Sequence, residues 1–173
     1  AASEALFYLA EYDYATFSGI QFPRFHGANN LARVQDWAEH AFAEWLVQKR
    51  EALTTAEAAY NRIAALEIPE WEIAGAARVG EMYRSFMVQI REAPIPEEIE
   101  NDDELYGIYV DALEGAARPL NDIAISKFEF CLTTATRVRW FNQYSTQCET
   151  ELNELDRARY PMAAELRGQS SYI

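Results

Sequence analysis

The chain has 173 residues, and 28 acidic against 15 basic side chains give it a formal net charge of −13. This charge argues against a nucleic-acid-binding protein, because such binding needs lysines and arginines that displace counterions from phosphates. It argues equally against attraction to anionic membranes, and no stretch has the roughly 20 apolar residues of a spanning helix. We therefore expect no nucleic-acid partner and no transmembrane segment, and peripheral association with a cell envelope stays open.

The composition predicts a mostly helical protein. Half of the residues are hydrophobic, and the chain has only seven glycines and six prolines. Few turn formers in an alanine-rich chain favour helices, and the length suits one domain over residues 1–173 with a sizeable core. The chain begins Ala1-Ala2-Ser3 and not with Met. We expect it to be part of a longer protein, and removal of a leader or lipid anchor stays open.

The first two predicted helices are one short and one long. The first spans Glu4 to Phe17, with Ser3 as its N-cap and apolar residues at helical spacing. Those apolar residues are Leu6, Leu9, Ala10, Tyr14 and Phe17. The second spans residues 28–66 and, if uninterrupted, would be about 58 Å long. A break near residues 53–55 stays open as an alternative, because the two threonines there are weak helix formers.

The third predicted helix spans Trp71 to Arg91, with a buried stripe at helical spacing. The stripe consists of Trp71, Gly75, Val79, Met82, Phe86 and Ile90. The sequence Ala93-Pro94-Ile95-Pro96 cannot continue a helix, because proline has no amide hydrogen. Residues 97–104 then hold six carboxylates in eight positions. They lack the alternating ligands and turn glycine of a calcium loop, so we interpret them as a linker or helix start capped by Asp102 or Asp103.

The last two predicted helices are again one long and one short. The fourth spans Glu104 to about Arg137, with a kink or short break at Pro119. The fifth begins near Trp140 and uses Phe141 in its apolar stripe, and a further helical turn is expected over residues 162–167. Short connections make sequential helices antiparallel neighbours. The sequence thus predicts an all-α array of antiparallel helical hairpins in which the second helices are long.

Two segments resemble the pattern of a 34-residue helical-hairpin repeat. Val79-Gly80-Glu81-Met82-Tyr83 follows the L-G-x-x-Y arrangement of a first helix, and Ala124 with Phe128 approximates the A-x-x-x-F of a second. A small residue allows two helices to approach closely, and an aromatic ring fills the neighbouring gap. This spacing favours a helical-repeat architecture.

Cys131 and Cys148 lie at equal distances from the turn predicted near residues 138–139. Residues related in this way face each other across an antiparallel hairpin, where a close approach brings two Cα atoms within the 5.5–6 Å typical of a disulfide. Both cysteines also lie on apolar stripes, so two reduced thiols buried in a core are an equally valid interpretation. The spacing alone leaves both alternatives open.

A longer ordered string includes Trp71, the 93–96 element, Ala117-x-Pro119-Leu120, Phe128-x-x-Cys131 and Cys148. It resembles the C-terminal part of tetratricopeptide-repeat proteins of myxobacteria and their relatives, a group that includes envelope lipoproteins of the gliding-motility machinery. The resemblance covers about residues 30–167. It implies a tetratricopeptide-like α-solenoid scaffold in the periplasm or cell envelope of a Gram-negative bacterium. An oxidising envelope in turn favours a disulfide between Cys131 and Cys148.

No catalytic motif is present in the sequence: it contains no G-x-S-x-G, Walker, dinucleotide-binding or H-E-x-x-H pattern. No Glu-x-x-His pair of a di-iron bundle is present either. We therefore predict a non-enzymatic protein without cofactor or metal, which binds a protein or peptide partner. Arg78, Tyr83 and Arg84 are the candidate binding residues, since tyrosine and arginine are enriched in binding hot spots. The alternative function is a structural helical bundle that associates with itself.

Overall fold

The computed structural model describes residues 2–162, which form helices and no strand. This confirms the all-helical fold. The helices are α1 (Ala2–Gly19), α2 (Leu31–Trp37), a π-helical segment (Ala38–Phe42), α3 (Ala43–Ala64), α4 (Pro69–Arg91), α5 (Glu97–Glu100), α6 (Asp103–Val138) and α7 (Gln143–Leu155). The helical turn predicted over residues 162–167 lies outside the described residues, apart from Met162, which is not helical.

Helix α1 begins earlier than predicted and buries a different stripe. Ser3 is buried inside the helix, so its prediction as N-cap is wrong. Leu6 and Leu9 are exposed, whereas Phe7 is buried with Ala10 and Phe17. Helix α1 carries two apolar stripes, and the one that contains Phe7 faces the rest of the bundle.

The second predicted helix is continuous, because α2, the π-helical segment and α3 follow one another with helical dihedral angles at each junction. The alternative of a break near residues 53–55 does not occur, because α3 is continuous over this stretch. Thr54 and Thr55 donate their hydroxyl hydrogens to the carbonyl oxygens of Arg50 and Glu51, one turn back in the helix. The irregularity lies instead at the π-helical segment, where aromatic rings of the chain crowd together.

Helix α4 begins with Pro69 in its first turn, where a missing amide hydrogen costs nothing. Its predicted stripe is confirmed, with Gly75, Val79, Met82, Phe86 and Ile90 buried and Trp71 half-buried. Two glycines on opposite sides of α4 allow close approach: Gly75 faces Tyr60 of α3, and Gly80 faces the ring of Phe128 of α6.

Helix α6 has 36 residues and begins at Asp103. Asp102 caps it by accepting hydrogen bonds from the amides of Glu104 and Leu105, as the acidic run suggested. Of the kink or short break predicted at Pro119, the break is wrong, because the helix continues through this residue.

Helix α7 begins three residues later than predicted. Asn142 and Ser145 form a reciprocal capping box at its start, after Arg139 turns the chain in a left-handed conformation. Trp140 and Phe141 therefore lie in the turn and are exposed, so the placement of Phe141 in the apolar stripe is wrong.

Helix α4 is the centre of the molecule and packs against α1, α3, α6 and α7. Trp45 near the start of α3 lies against Phe86 near the end of α4, and Tyr60 near the end of α3 lies against Gly75 near the start of α4. Helices α3 and α4 are therefore antiparallel. The same relation holds between α4 and α6 and between α6 and α7. Among the described residues, no Cα atom of α6 comes within 8 Å of α1 or α3.

Helices α1 and α7 both run parallel to α4 and pack against it. Glu11 of α1 pairs with Arg78, and Arg84 pairs with both Glu151 and Glu154 of α7. The rings of Phe7 and Tyr144 bring α1 and α7 into contact with each other, with centroids 6.0 Å apart. The chain thus places α1, α4 and α7 in one direction and α3 and α6 in the other.

Candidate functional site

The two cysteines form a disulfide that joins α6 to α7. The Cα atoms of Cys131 and Cys148 are 6.5 Å apart, and both residues are fully buried. The bridge lies in a small core with Ala135 and Leu152, so the sequence prediction of two facing sulfurs is confirmed.

Arg78, the first predicted binding residue, is the centre of an internal ion-pair network. Its guanidinium donates two hydrogen bonds to the carboxylate of Glu11, over 3.0 and 3.1 Å, and one to Glu81 over 2.9 Å. It also lies over the rings of Tyr14 and Tyr144. Burial opposes the charge of the guanidinium, but the hydrogen bonds to the two carboxylates outweigh it and raise the pKa of Arg78.

Tyr60 of α3 joins the same network, because its hydroxyl donates a 2.6 Å hydrogen bond to Glu11. Burial and this carboxylate both raise the pKa of Tyr60. The network therefore ties α1, α3 and α4 together through charge-assisted hydrogen bonds, and Gln147 of α7 extends it by donating to Glu81.

The other two predicted binding residues lie on different sides of α4. Tyr83 donates a 2.7 Å hydrogen bond to Glu57 of α3, and Arg84 forms ion pairs with Glu151 and Glu154 of α7. The structure does not bring Arg78, Tyr83 and Arg84 into one surface. Each contacts a neighbouring helix, and their role in partner binding stays a prediction.

Lys49 is a buried cation that the sequence analysis did not single out. Its side chain is 0% exposed, and its amine donates to the carbonyl oxygens of Phe17 and Ile20 at the end of α1, over 2.7 and 3.2 Å. The amine also lies 3.9 Å from the centre of the Phe17 ring. Burial lowers the pKa of Lys49 to about 8. It closes the end of α1 and is not accessible to a ligand.

The outer face of α1, formed by Ala5, Tyr8, Leu9 and Tyr12, is an exposed apolar surface. Leu9 is 61% and Tyr12 73% exposed, although both belong to residue types that bury readily. The four residues have the spacing i, i+3, i+4, i+7, which places them on one side of the helix, opposite the buried stripe. The signal for this face was present in the sequence as a second apolar stripe.

A pocket of about 250 Å³ lies on another side of the molecule, between α3 and α6 and above the small residues of α4. We call it the α3–α6 pocket. Its lining residues are Tyr60, Asn61, Ala64, Glu72, Gly75, Ala76, Val79, Ser126, Lys127 and Phe130. No sequence pattern indicated it, because its walls come from three helices.

Within residues 2–162, no group of three His, Cys, Asp or Glu side chains converges as metal ligands. None of the helices in that range is long and apolar enough to cross a membrane.

Comparison with known proteins gives no relative: no protein-family model, no curated protein and no solved structure matches the chain. The tetratricopeptide resemblance therefore stays a prediction, and function has to be inferred from the surfaces of the molecule.

Proposed function

We propose that this protein is a non-enzymatic helical-hairpin scaffold of the bacterial cell envelope that binds a protein partner through the outer face of α1. The observation that carries the proposal is the exposed apolar stripe on α1, because contiguous exposed apolar surface marks interaction sites in folded proteins. The protein or peptide partner expected from the sequence then has a defined docking surface.

The arrangement of helices supports a tetratricopeptide-like hairpin array. Helix α4 contacts one hairpin through α1 and α3 and the next through α6 and α7, and within residues 2–162 no Cα atom of α6 comes within 8 Å of α1 or α3. Side chains still cross between the hairpins, from Lys127 to Glu57 and from Phe7 to Tyr144. Backbone contact concentrated between neighbouring layers is a property of helical-repeat proteins. Within residues 2–162, α1 has helices on one side only, and its apolar outer face is where a helix of another protein fits.

The charges around the outer face indicate the chemistry of its partner. Helical spacing places Glu4 along one edge of the face and Asp13 along the other, and α1 contains no basic residue. A partner helix with an apolar stripe and basic residues on its flanks complements this surface in both shape and charge. The net charge of −13 steers such a partner towards the molecule.

The envelope location is supported by the buried disulfide, since disulfides persist in oxidising compartments such as the periplasm. A link to gliding motility or envelope assembly depends on the tetratricopeptide resemblance. Mass spectrometry of the protein isolated from its native cells without reductant tests the location. A mass two units below the reduced value is expected, and free thiols would contradict an envelope protein.

A matched pair of variants tests the docking surface. Leu9→Asp places a charge in the outer face of α1, and Ile108→Asp does the same at an apolar residue of α6 that is likewise 61% exposed. We expect affinity purification from native cells to lose its main partner with Leu9→Asp and to retain it with Ile108→Asp. Both variants should keep the helical content and melting temperature of the wild type. Equal retention in both variants, or equal loss, would overturn the proposal.

The alternative function is self-association, and the same apolar face is the observation that favours it. Two copies joined through α1 would place Glu4 and Asp13 against like charges, which is why we prefer a different, basic partner. Light scattering separates the two. A stable dimer that Leu9→Asp converts to a monomer establishes self-association, and a wild-type monomer establishes that α1 is free for another protein.

A further inference from the structure

The α3–α6 pocket is a second site, separate from the outer face of α1, and Tyr60 of the Arg78 network forms part of its lining. Helices α3 and α6 flank α4 without backbone contact between them, and the floor of the space is formed by Gly75, Ala76 and Val79. Because these floor residues are small, the space stays deep enough to hold a volume of about 250 Å³. That volume suits one flat side chain or a small organic cation.

Two aromatic residues line the pocket. Tyr60 lines it from α3 but is only 2% exposed, because its ring packs against Phe7 and lies over Gly75. Phe130 contributes a half-exposed ring from α6 at the rim. Aromatic faces favour a cation, or the apolar stem that carries one.

The pocket also holds a carboxylate that lacks a hydrogen bond. The side chain of Glu72 is only 12% exposed, and none of the described residues donates a hydrogen bond to it. Its one ionic neighbour is Arg137, whose Nη2 is 3.9 Å from Oε2 of Glu72 and whose side chain is 67% exposed. Neither oxygen of Glu72 is among the buried side-chain atoms that lack a hydrogen bond, so the carboxylate keeps contact with water at the pocket. A cation that carries hydrogen-bond donors can take the place of that water.

The other charge of the pocket is already neutralised. The amine of Lys127 lies 2.9 Å from Oε1 of Glu57, so it is paired and does not provide a free site for an anion. Glu72 is thus the group in the pocket whose bonding capacity is open.

We propose that the α3–α6 pocket binds a guanidinium or ammonium group carried on an apolar stem. The cation donates hydrogen bonds to Glu72, in bidentate form for a guanidinium, and the stem lies against the half-exposed ring of Phe130. Two sources offer this chemistry: an arginine or lysine side chain of a bound protein, and a free polyamine.

The experiment is an NMR titration of the full chain with n-butylguanidinium, compared with its uncharged isostere n-butylurea. We expect saturable shifts of the amides of Gly75, Ala76 and Ser126, and an affinity at least tenfold weaker for the urea. Parallel titrations with N-acetyl-arginine methylamide and with spermidine identify the source. Tighter binding of the arginine derivative indicates a protein side chain, and tighter binding of spermidine indicates a free polyamine; either result upholds the site.

Three variants should change the affinity for n-butylguanidinium in three different directions, which general electrostatic attraction to an acidic protein cannot produce. Glu72→Gln should weaken binding of n-butylguanidinium about 10- to 100-fold, the range of a charged hydrogen bond. Arg137→Gln removes a competing cation and should tighten binding by about two- to fivefold, as expected for a solvent-screened pair. Glu70→Gln, an exposed acid in the same turn of α4, should leave the affinity unchanged.

The proposal is overturned if n-butylurea binds as well as n-butylguanidinium, if Glu70→Gln weakens binding as much as Glu72→Gln, or if neither cation shifts the floor amides at millimolar concentration. The NMR spectrum of each variant without ligand is compared with that of the wild type, and close agreement shows that the fold is intact. None of these results depends on the outer face of α1, so the two sites can fail independently.

Discussion

The two hairpins beside α4 are fastened by different means. At the N-terminal end, α1 and α3 bury large side chains, among them Phe7, Phe17 and Tyr60. At the C-terminal end, the core between α4, α6 and α7 consists of four alanines and the two cysteines, with Ile73, Phe128 and Leu152 as its larger members. The two ends therefore differ in the size of their buried residues. They also differ in what joins the two helices of each hairpin, which is ring packing for α1 and α3 and a disulfide for α6 and α7.

Residue size explains the difference. Burial stabilises in proportion to the apolar area removed from water, so large rings hold α1 to α3 without a covalent bond. Lys49 adds hydrogen bonds to the carbonyl oxygens at the end of α1. Helix α7 has 13 residues and small core partners, which is short for a helix held by packing alone. The disulfide supplies at this end what the rings supply at the other.

The largest expected effect is the loss of the disulfide. Replacing both Cys131 and Cys148 by alanine opens a loop with a sequence separation of 17 residues and should lower the free energy of unfolding by about 3 kcal/mol on the chain-entropy model. Amide hydrogen exchange should show lost protection throughout α7 and little change in α3. Reduced wild-type protein is the control that keeps both sulfurs. Equal loss of protection in α3 and α7 would contradict the division into two differently fastened ends.

Two glycines of α4 allow the same substitution, glycine to alanine, to be compared on the side that faces α3 and on the side that faces α6. A Cβ at position 80 would lie 2.5 Å from the ring of Phe128, and a Cβ at position 75 would lie 3.6 Å from Tyr60, an ordinary contact. Gly80→Ala should therefore destabilise the protein by about 2 kcal/mol through overpacking. Gly75→Ala should stabilise it by up to about 1 kcal/mol, because alanine favours helix. Urea unfolding measures both, and a shift of the same sign in the two variants would refute the assigned packing.

Lys49 should produce the smallest effect, a dependence of stability on pH. Burial lowers its pKa from 10.5 to about 8, so between pH 8 and 9 the folded chain releases a proton that the unfolded chain keeps. Stability should then rise with pH, by about 1 kcal/mol over this interval. The neutral amine still has two hydrogens for its two carbonyl acceptors.

Chemical unfolding at the two pH values checks this slope, which Lys49→Met should abolish. Lys127→Met is the matched control, because Lys127 is a partly exposed lysine paired with Glu57, and it should leave the slope in place. A flat profile in the wild type, or a slope that survives Lys49→Met, would show that the amine is not buried as described.

Much of the local structure could be predicted from the sequence, because apolar stripes, proline positions and caps act over one or two helical turns. The positions of Cys131 and Cys148 about one short turn were enough to predict that they face each other. Long-range partners left no such trace. Arg78 pairs with Glu11, which lies 67 residues away, so its internal role could not be read from α4 alone.

The candidate sites were harder to predict for the same reason. Helix α1 has two apolar stripes, and only the positions of α3 and α4 decide that Phe7 is buried while Leu9 is exposed. The α3–α6 pocket combines Tyr60, Glu72 and Phe130 from three helices. Neither surface follows from the periodicity of one segment.

Site-specific photo-cross-linking in the cells that make the protein tests the central claim most directly. A photoreactive phenylalanine analogue at position 9 probes the outer face of α1, and the same analogue at Val47 probes an exposed apolar position of α3. We predict that position 9 forms an adduct with an amphipathic, basic helical segment of another protein, and that position 47 does not. Adducts from position 47 alone, or no adduct from position 9, would contradict a docking role for α1.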